Sequence, residues 1–92
     1  MSTPSPALSL IVVEDSELDY ELLLAMLMRE GLRPRAVRVE EEAGMRAAFE
    51  AAGHVDAVIT DHNLPRFDSF ASLRVAKSID SDIPVIVLSG EM

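Results

Sequence analysis

Four short apolar runs, separated by segments long enough to be helices, constrain this chain more than any other feature. They are Leu8 to Val13 (LSLIVV), Arg35 to Val39 (RAVRV), Val55 to Thr60 (VDAVIT) and Ile83 to Leu88 (IPVIVL). A nearly continuous apolar run of this length suits a strand buried on both faces, whereas RAVRV alternates and reads as a more exposed strand. After the first run, Ser16 or Asp15 can cap a helix that carries Glu17 and Asp19 in its first turn, where the helix dipole favours acids. Leu18, Leu22 and Met26 fall at helical spacing, with Leu23 and Leu27 widening a stripe expected in the core, and Gly31 ends the helix. A second helix is expected from about Glu41 to Ala52, with Met45, Ala48, Phe49 and Ala52 on one side, broken by Gly53-His54. Asp68 or Ser69 caps a third, which runs to about Ile79 with Phe70, Leu73 and either Ala76 or Lys77 in register. Strands alternating with helices of this length indicate parallel βαβ units joined by right-handed crossovers, with helices on both faces of the sheet. The class is α/β. Residues 1–7, rich in Pro and Ser, read as a flexible lead-in, and residues 8–92 as one unit.

The composition limits what such a unit can do. Hydrophobic residues make up 49% of the 92 and charged residues 26%, the balance of a packed domain. Sixteen acidic residues against eight basic ones give a net charge of -8, which argues against binding nucleic acid or anionic lipid and permits a divalent cation. Without cysteine there is neither a disulfide framework nor a thiolate metal site, as suits a reducing cytoplasm. The first residues lack the basic flank and apolar run of a signal peptide, and no apolar stretch is long enough to span a membrane. A soluble, cytoplasmic protein is expected.

In an open parallel sheet, ligands bind beyond the carboxyl ends of the strands, where the strand order reverses. Glu14 and Asp15 follow the first strand, Asp61 the third and Ser89 the fourth. If the first and third strands are neighbours, about 4.8 Å apart, three carboxylates converge on one pocket. Such carboxylates repel and have their pKa values raised unless a positive charge sits among them. Mg2+, which takes oxygen ligands and keeps several waters, resolves the conflict. One carboxylate facing the metal is then a candidate nucleophile toward a phosphoryl group, with Ser89 as a donor to a phosphoryl oxygen. His62 and His54 read as solvent-facing side chains, and Glu40 to Glu42 as a solvated helix start.

The arrangement IVVEDS, then VITDHNLPRFDS, then PVIVLSGE resembles the response-regulator receiver family in residue type, order and spacing, over essentially the whole chain after the lead-in. The resemblance implies a flavodoxin-like sheet of order 2-1-3-4-5. It implies that Asp61 accepts a phosphoryl group from a sensor histidine kinase or phosphotransfer protein. In the same family pattern Asp15 holds Mg2+ directly, Glu14 helps through water, the main-chain carbonyl of Asn63 completes the metal's protein ligands, and Ser89 is the switch hydroxyl. The first helix would dock the carrier of the phosphohistidine, with Met28 a candidate for that surface. Two departures stand out. Ser69 occupies a position where the family usually has Gly. The family's fourth helix, fifth strand and fifth helix are also missing, and with them the catalytic lysine: the only lysine, Lys77, lies late in the third helix, far from the pocket. The expected unit is therefore a partial receiver, strand-helix-strand-helix-strand-helix-strand. Its fourth strand is left as an apolar edge that a second copy would cover, in a homodimer or larger assembly.

Two other functions compete. A truncated or degenerate receiver would act only through protein contact, which the missing lysine favours. A haloacid-dehalogenase-like phosphohydrolase fragment would also place Asp61 after an apolar strand, but that family needs a second acid two residues on, where this chain has Asn63. The leading expectation is not a conventional enzyme, since its chemistry is limited to its own phosphorylation and dephosphorylation at Asp61.

Overall fold

The first strand, β1, is Ala7–Val13, one residue longer at its start than the apolar run suggested. Ile11 and Val13 go to one face of the sheet and Leu10 and Val12 to the other, and all four are buried. This is the double burial that the unbroken run predicted for a central strand. The computed structural model describes residues 7–61, 64 and 67–88. The remaining elements are α1 (Glu17–Arg29), β2 (Arg33–Val39), α2 (Glu42–Ala52), β3 (Ala57–Asp61), α3 (Ser69–Ile79) and β4 (Val85–Leu88).

The four strands form one parallel sheet in the order β2-β1-β3-β4. Its order reverses at β1, which pairs with β2 on one side and with β3 on the other. Pro34, which has no N–H to give to a ladder, is tolerated because β2 is an edge strand. One face of the sheet carries α2 and α3. There Ile11, Val13, Val39 and Val58 pack with Met45 and Ala48 of α2, Val75 and Ala76 of α3, and the loop residues Leu64, Phe67 and Ile83. Among the described residues the other face carries α1 alone, with Tyr20, Leu23 and Leu27 against Leu10, Val12 and Ile59. The Tyr20 hydroxyl donates to the Ala36 carbonyl at 3.0 Å, which ties α1 to β2.

The helix ends follow local chemistry. The Ser16 hydroxyl accepts from the Asp19 N–H at 3.2 Å, and Asp68 accepts from the Ala71 N–H at 2.9 Å, so each helix start satisfies one of its free donors. Gly31 and Gly53 follow α1 and α2 with φ of 90° and 73°, a backbone region that favours glycine.

Two helices turn a different face to the sheet than periodicity suggested. Leu18, Leu22 and Met26 of α1 are 65%, 59% and 52% exposed, and no residue of α1 is fully buried. In α3 it is Ser69, Ser72, Val75 and Ala76 that are buried, while Phe70 is 72% exposed and Leu73 also faces outward. Small residues let α3 approach the strands closely, and the bulkier apolar side chains are left pointing away. β4 also differs from the expected span. It holds four residues, and Ile83, expected to be an exposed edge residue, lies outside the strand and is buried in the core. Ile86, Val87 and Leu88 do form an exposed apolar edge, shorter than anticipated.

Lys77 lies far from the carboxyl ends of the strands, as expected, and has a structural task. Its ammonium donates to the Ile83 and Ser81 carbonyls and holds the turn between α3 and β4. At that same end of the sheet, Asp56 accepts from the Ser9 N–H at 2.7 Å and pairs with His54 at 2.8 Å, joining the entry to β3 with β1.

Candidate functional site

Glu14 leaves β1 where β2 and β3 flank it, and the backbone holds it there: its N–H donates to the Val39 carbonyl at 3.0 Å. The residue is only 9% exposed. One carboxyl oxygen accepts from the Ser16 N–H at 3.0 Å, just ahead of α1. Asp61 is the last residue of β3, not the first after it, and stands opposite Leu88 of β4. Thr60 is the β3 partner of Val13 in the register, so Asp61 and Glu14 each lie one residue further along neighbouring strands.

Electrostatics show how close the acids come. The Glu14 carboxyl is pushed up from 4.5 to about 7, first by burial and then by hydrogen bonding to Asp15 and by the charge and hydrogen bonding of Asp61, against the lowering effect of the Ser16 N–H. Glu14 thus lies within reach of both Asp15 and Asp61. Glu14 interacts with each of the two aspartates, and among the described residues no three His, Cys, Asp or Glu side chains are grouped to hold a metal ion. Carboxylate oxygens are the donor type that a hard divalent cation takes. Asn63 and Ser89, the other two expected contributors, lie outside the described residues, as does His62.

The sequence reading missed Arg38. From β2 its guanidinium donates to the Glu14 carbonyl at 3.2 Å and pairs with Glu40 at 3.2 Å, so a cation stands beside the acidic end of β1 although the chain has no lysine there. The Arg38-x-Glu40 spacing at the end of an edge strand was the available signal, because residues two apart share a face.

Solved structures similar to this one agree on its class. A response-regulator receiver domain protein from Clostridium thermocellum superposes with a TM-score of 0.74 at 24% identity, over 89% of this chain and 64% of its own. The N-terminal domain of a response regulator receiver protein from Methanoculleus marisnigri JR1 gives 0.72 at 27% identity, over 90% of this chain and 67% of that one. The chain has the receiver-domain fold. A response regulator in red light signaling of R. palustris gives a TM-score of 0.72 at 21% identity, over 91% of this chain and 66% of its own. This receiver-like chain thus spans about two thirds of the length of each of the three structures. No protein-family model and no curated protein matches it. Its acidic cluster lies at the carboxyl ends of the central strands, where receiver-type sheets and other open parallel sheets hold their ligands.

Proposed function

We propose that this chain is the phosphoacceptor part of a two-component signalling module. Asp61 takes a phosphoryl group from the phosphohistidine of a sensor histidine kinase or phosphotransfer protein. The observation that carries this reading is the meeting of Glu14, Asp15 and Asp61 at the switch point of a receiver-type sheet. Mg2+ would be held by Asp15 and Asp61, with Glu14 acting through water and the Asn63 carbonyl completing the set. When bound it neutralises charge developing on the transferred group. The Asp61 carboxylate attacks phosphorus, the phosphorus–nitrogen bond to the donor imidazole breaks, and the imidazole leaves with the bonding pair. Ser89 is the proposed hydroxyl partner of the phosphoryl oxygens. Lys77 is engaged at the turn before β4 and has no part in this step.

A second reading, contact without phosphotransfer, draws support from the exposed apolar edge Ile86 to Leu88 and the outward Leu18, Leu22 and Met26. In it, a second copy covers β4 in a homodimer or larger assembly. In both readings the protein works in the cytoplasm, and its charge of -8 leaves nucleic acid an unsuitable partner. No helix of the described residues is long and apolar enough to cross a membrane. Incubation with acetyl phosphate and Mg2+, followed by intact mass, tests the first reading. A phosphoryl adduct that Asp61→Asn abolishes upholds it, and equal labelling of that variant, or no adduct at all, overturns it.

A further inference from the structure

A buried pair of hydroxyls joins the end of β3 to the first turn of α3. Thr60 and Ser72 are both 0% exposed, and their oxygens lie 3.2 Å apart. The Thr60 hydroxyl also reaches the main-chain carbonyl of Asp61, at 3.3 Å. A hydroxyl has one proton to give. Thr60 is the donor in both contacts, so its proton is shared between the Ser72 oxygen and the Asp61 carbonyl, and the three groups are tied together at the Asp61 peptide unit.

Packing alone does not explain a threonine here. Thr60 shares a face with Val58 in an apolar strand, and valine would fill the same volume without a hydroxyl that must find partners once buried. Ser72 is equally constrained. Its N–H donates to the Asp68 carbonyl at 2.9 Å in the capped first turn of α3, so its hydroxyl is presented from a fixed point. A rotation of the Asp61 peptide would swing the attached side chain relative to Glu14, and misplacement of a reacting group by about 1 Å can cost roughly a hundredfold in rate.

We infer that Thr60 and Ser72 are positioning residues that hold Asp61 in the orientation for accepting a phosphoryl group, an inference that rests on the phosphoacceptor reading of Asp61. The test compares the wild-type chain with Thr60→Val, Thr60→Ser, Ser72→Ala and the double variant Thr60→Val/Ser72→Ala. The initial rate of labelling by acetyl phosphate with Mg2+ and the urea midpoint are measured for each. Thr60→Val should slow labelling about tenfold while Thr60→Ser stays within about twofold of wild type. The double variant leaves no orphaned hydroxyl, so it should regain stability lost in the single variants and still label as slowly as Thr60→Val. Wild-type labelling by Thr60→Val, or rates that merely track stability across the series, overturn the inference. If the wild-type chain takes no label, the phosphoacceptor reading itself fails. The 13C shift of the Asp61 carbonyl then decides the pair separately: a shift displaced in Thr60→Val and restored in Thr60→Ser upholds it, and an unmoved shift overturns it.

Discussion

Replacing Glu14 by glutamine removes a carboxyl that the fold makes costly to ionise. The wild-type group rises from 4.5 to about 7 on folding, because it is buried beside Asp15 and Asp61. A raised acid pKa means the native state binds the proton more tightly than the unfolded chain does. Stability from this group is therefore fully retained below about pH 4.5 and declines as pH climbs toward 7. By then the loss is on the order of 3 kcal/mol, a sizeable part of a small domain's stability. Asp56 works in the opposite sense, since the Ser9 N–H and His54 lower its pKa and its contribution is lost only on acidification below its ordinary range near 3.8. The two effects occupy different windows. The glutamine side chain would keep an oxygen for the Ser16 N–H and carry no charge, so urea midpoints of Glu14→Gln should stay nearly level from pH 5 to 7.5 while the wild-type midpoint falls. Mg2+ at pH 7.5 should recover much of the wild-type loss and stabilise the variant less, because the variant keeps Asp15 and Asp61 but has no buried charge at position 14 for the metal to relieve. Equal slopes for the two proteins, or a variant less stable than wild type at pH 7.5, would refute this account of the acidic cluster.

Leu27→Ala should cost about 2 kcal/mol in urea unfolding, since Leu27 packs under α1, while Leu22→Ala should cost less than about 0.5 because Leu22 points away from the sheet. Lys77→Met should lower stability by about 1 kcal/mol through loss of the contacts to Ile83 and Ser81, with acetyl phosphate labelling unchanged. Covering the half-exposed Ile86, Val87 and Leu88 is worth roughly 2–4 kcal/mol per copy, so light scattering should show Val87→Lys dissociating at higher concentration than wild type. A wild-type chain that is monomeric at every concentration would remove the edge as an interface.

The order of elements was legible in the sequence because its causes are local. Runs such as LSLIVV can satisfy their backbone only by pairing on both sides, Ser16 and Asp68 stand where helix starts need acceptors, and Gly31 and Gly53 take the positive φ that ends α1 and α2. Parallel strands with intervening helices then put Glu14, Asp15 and Asp61 at one end of the sheet, since every strand runs the same way. Which helix face meets the sheet was not legible. Leu18, Leu22 and Met26 have the same helical spacing as a core stripe, and only the packing of Tyr20, Leu23 and Leu27 over Leu10 and Val12 decides between them. In α3 the close approach to β3 selects serine and alanine over Phe70 and Leu73, a choice set by the distance between two elements and invisible in either one. The burial that raises Glu14 and the reach of Arg38 to its carbonyl join residues far apart in sequence, so they exist only once the strands are in register, and the Thr60–Ser72 bond exists only once α3 packs on β3.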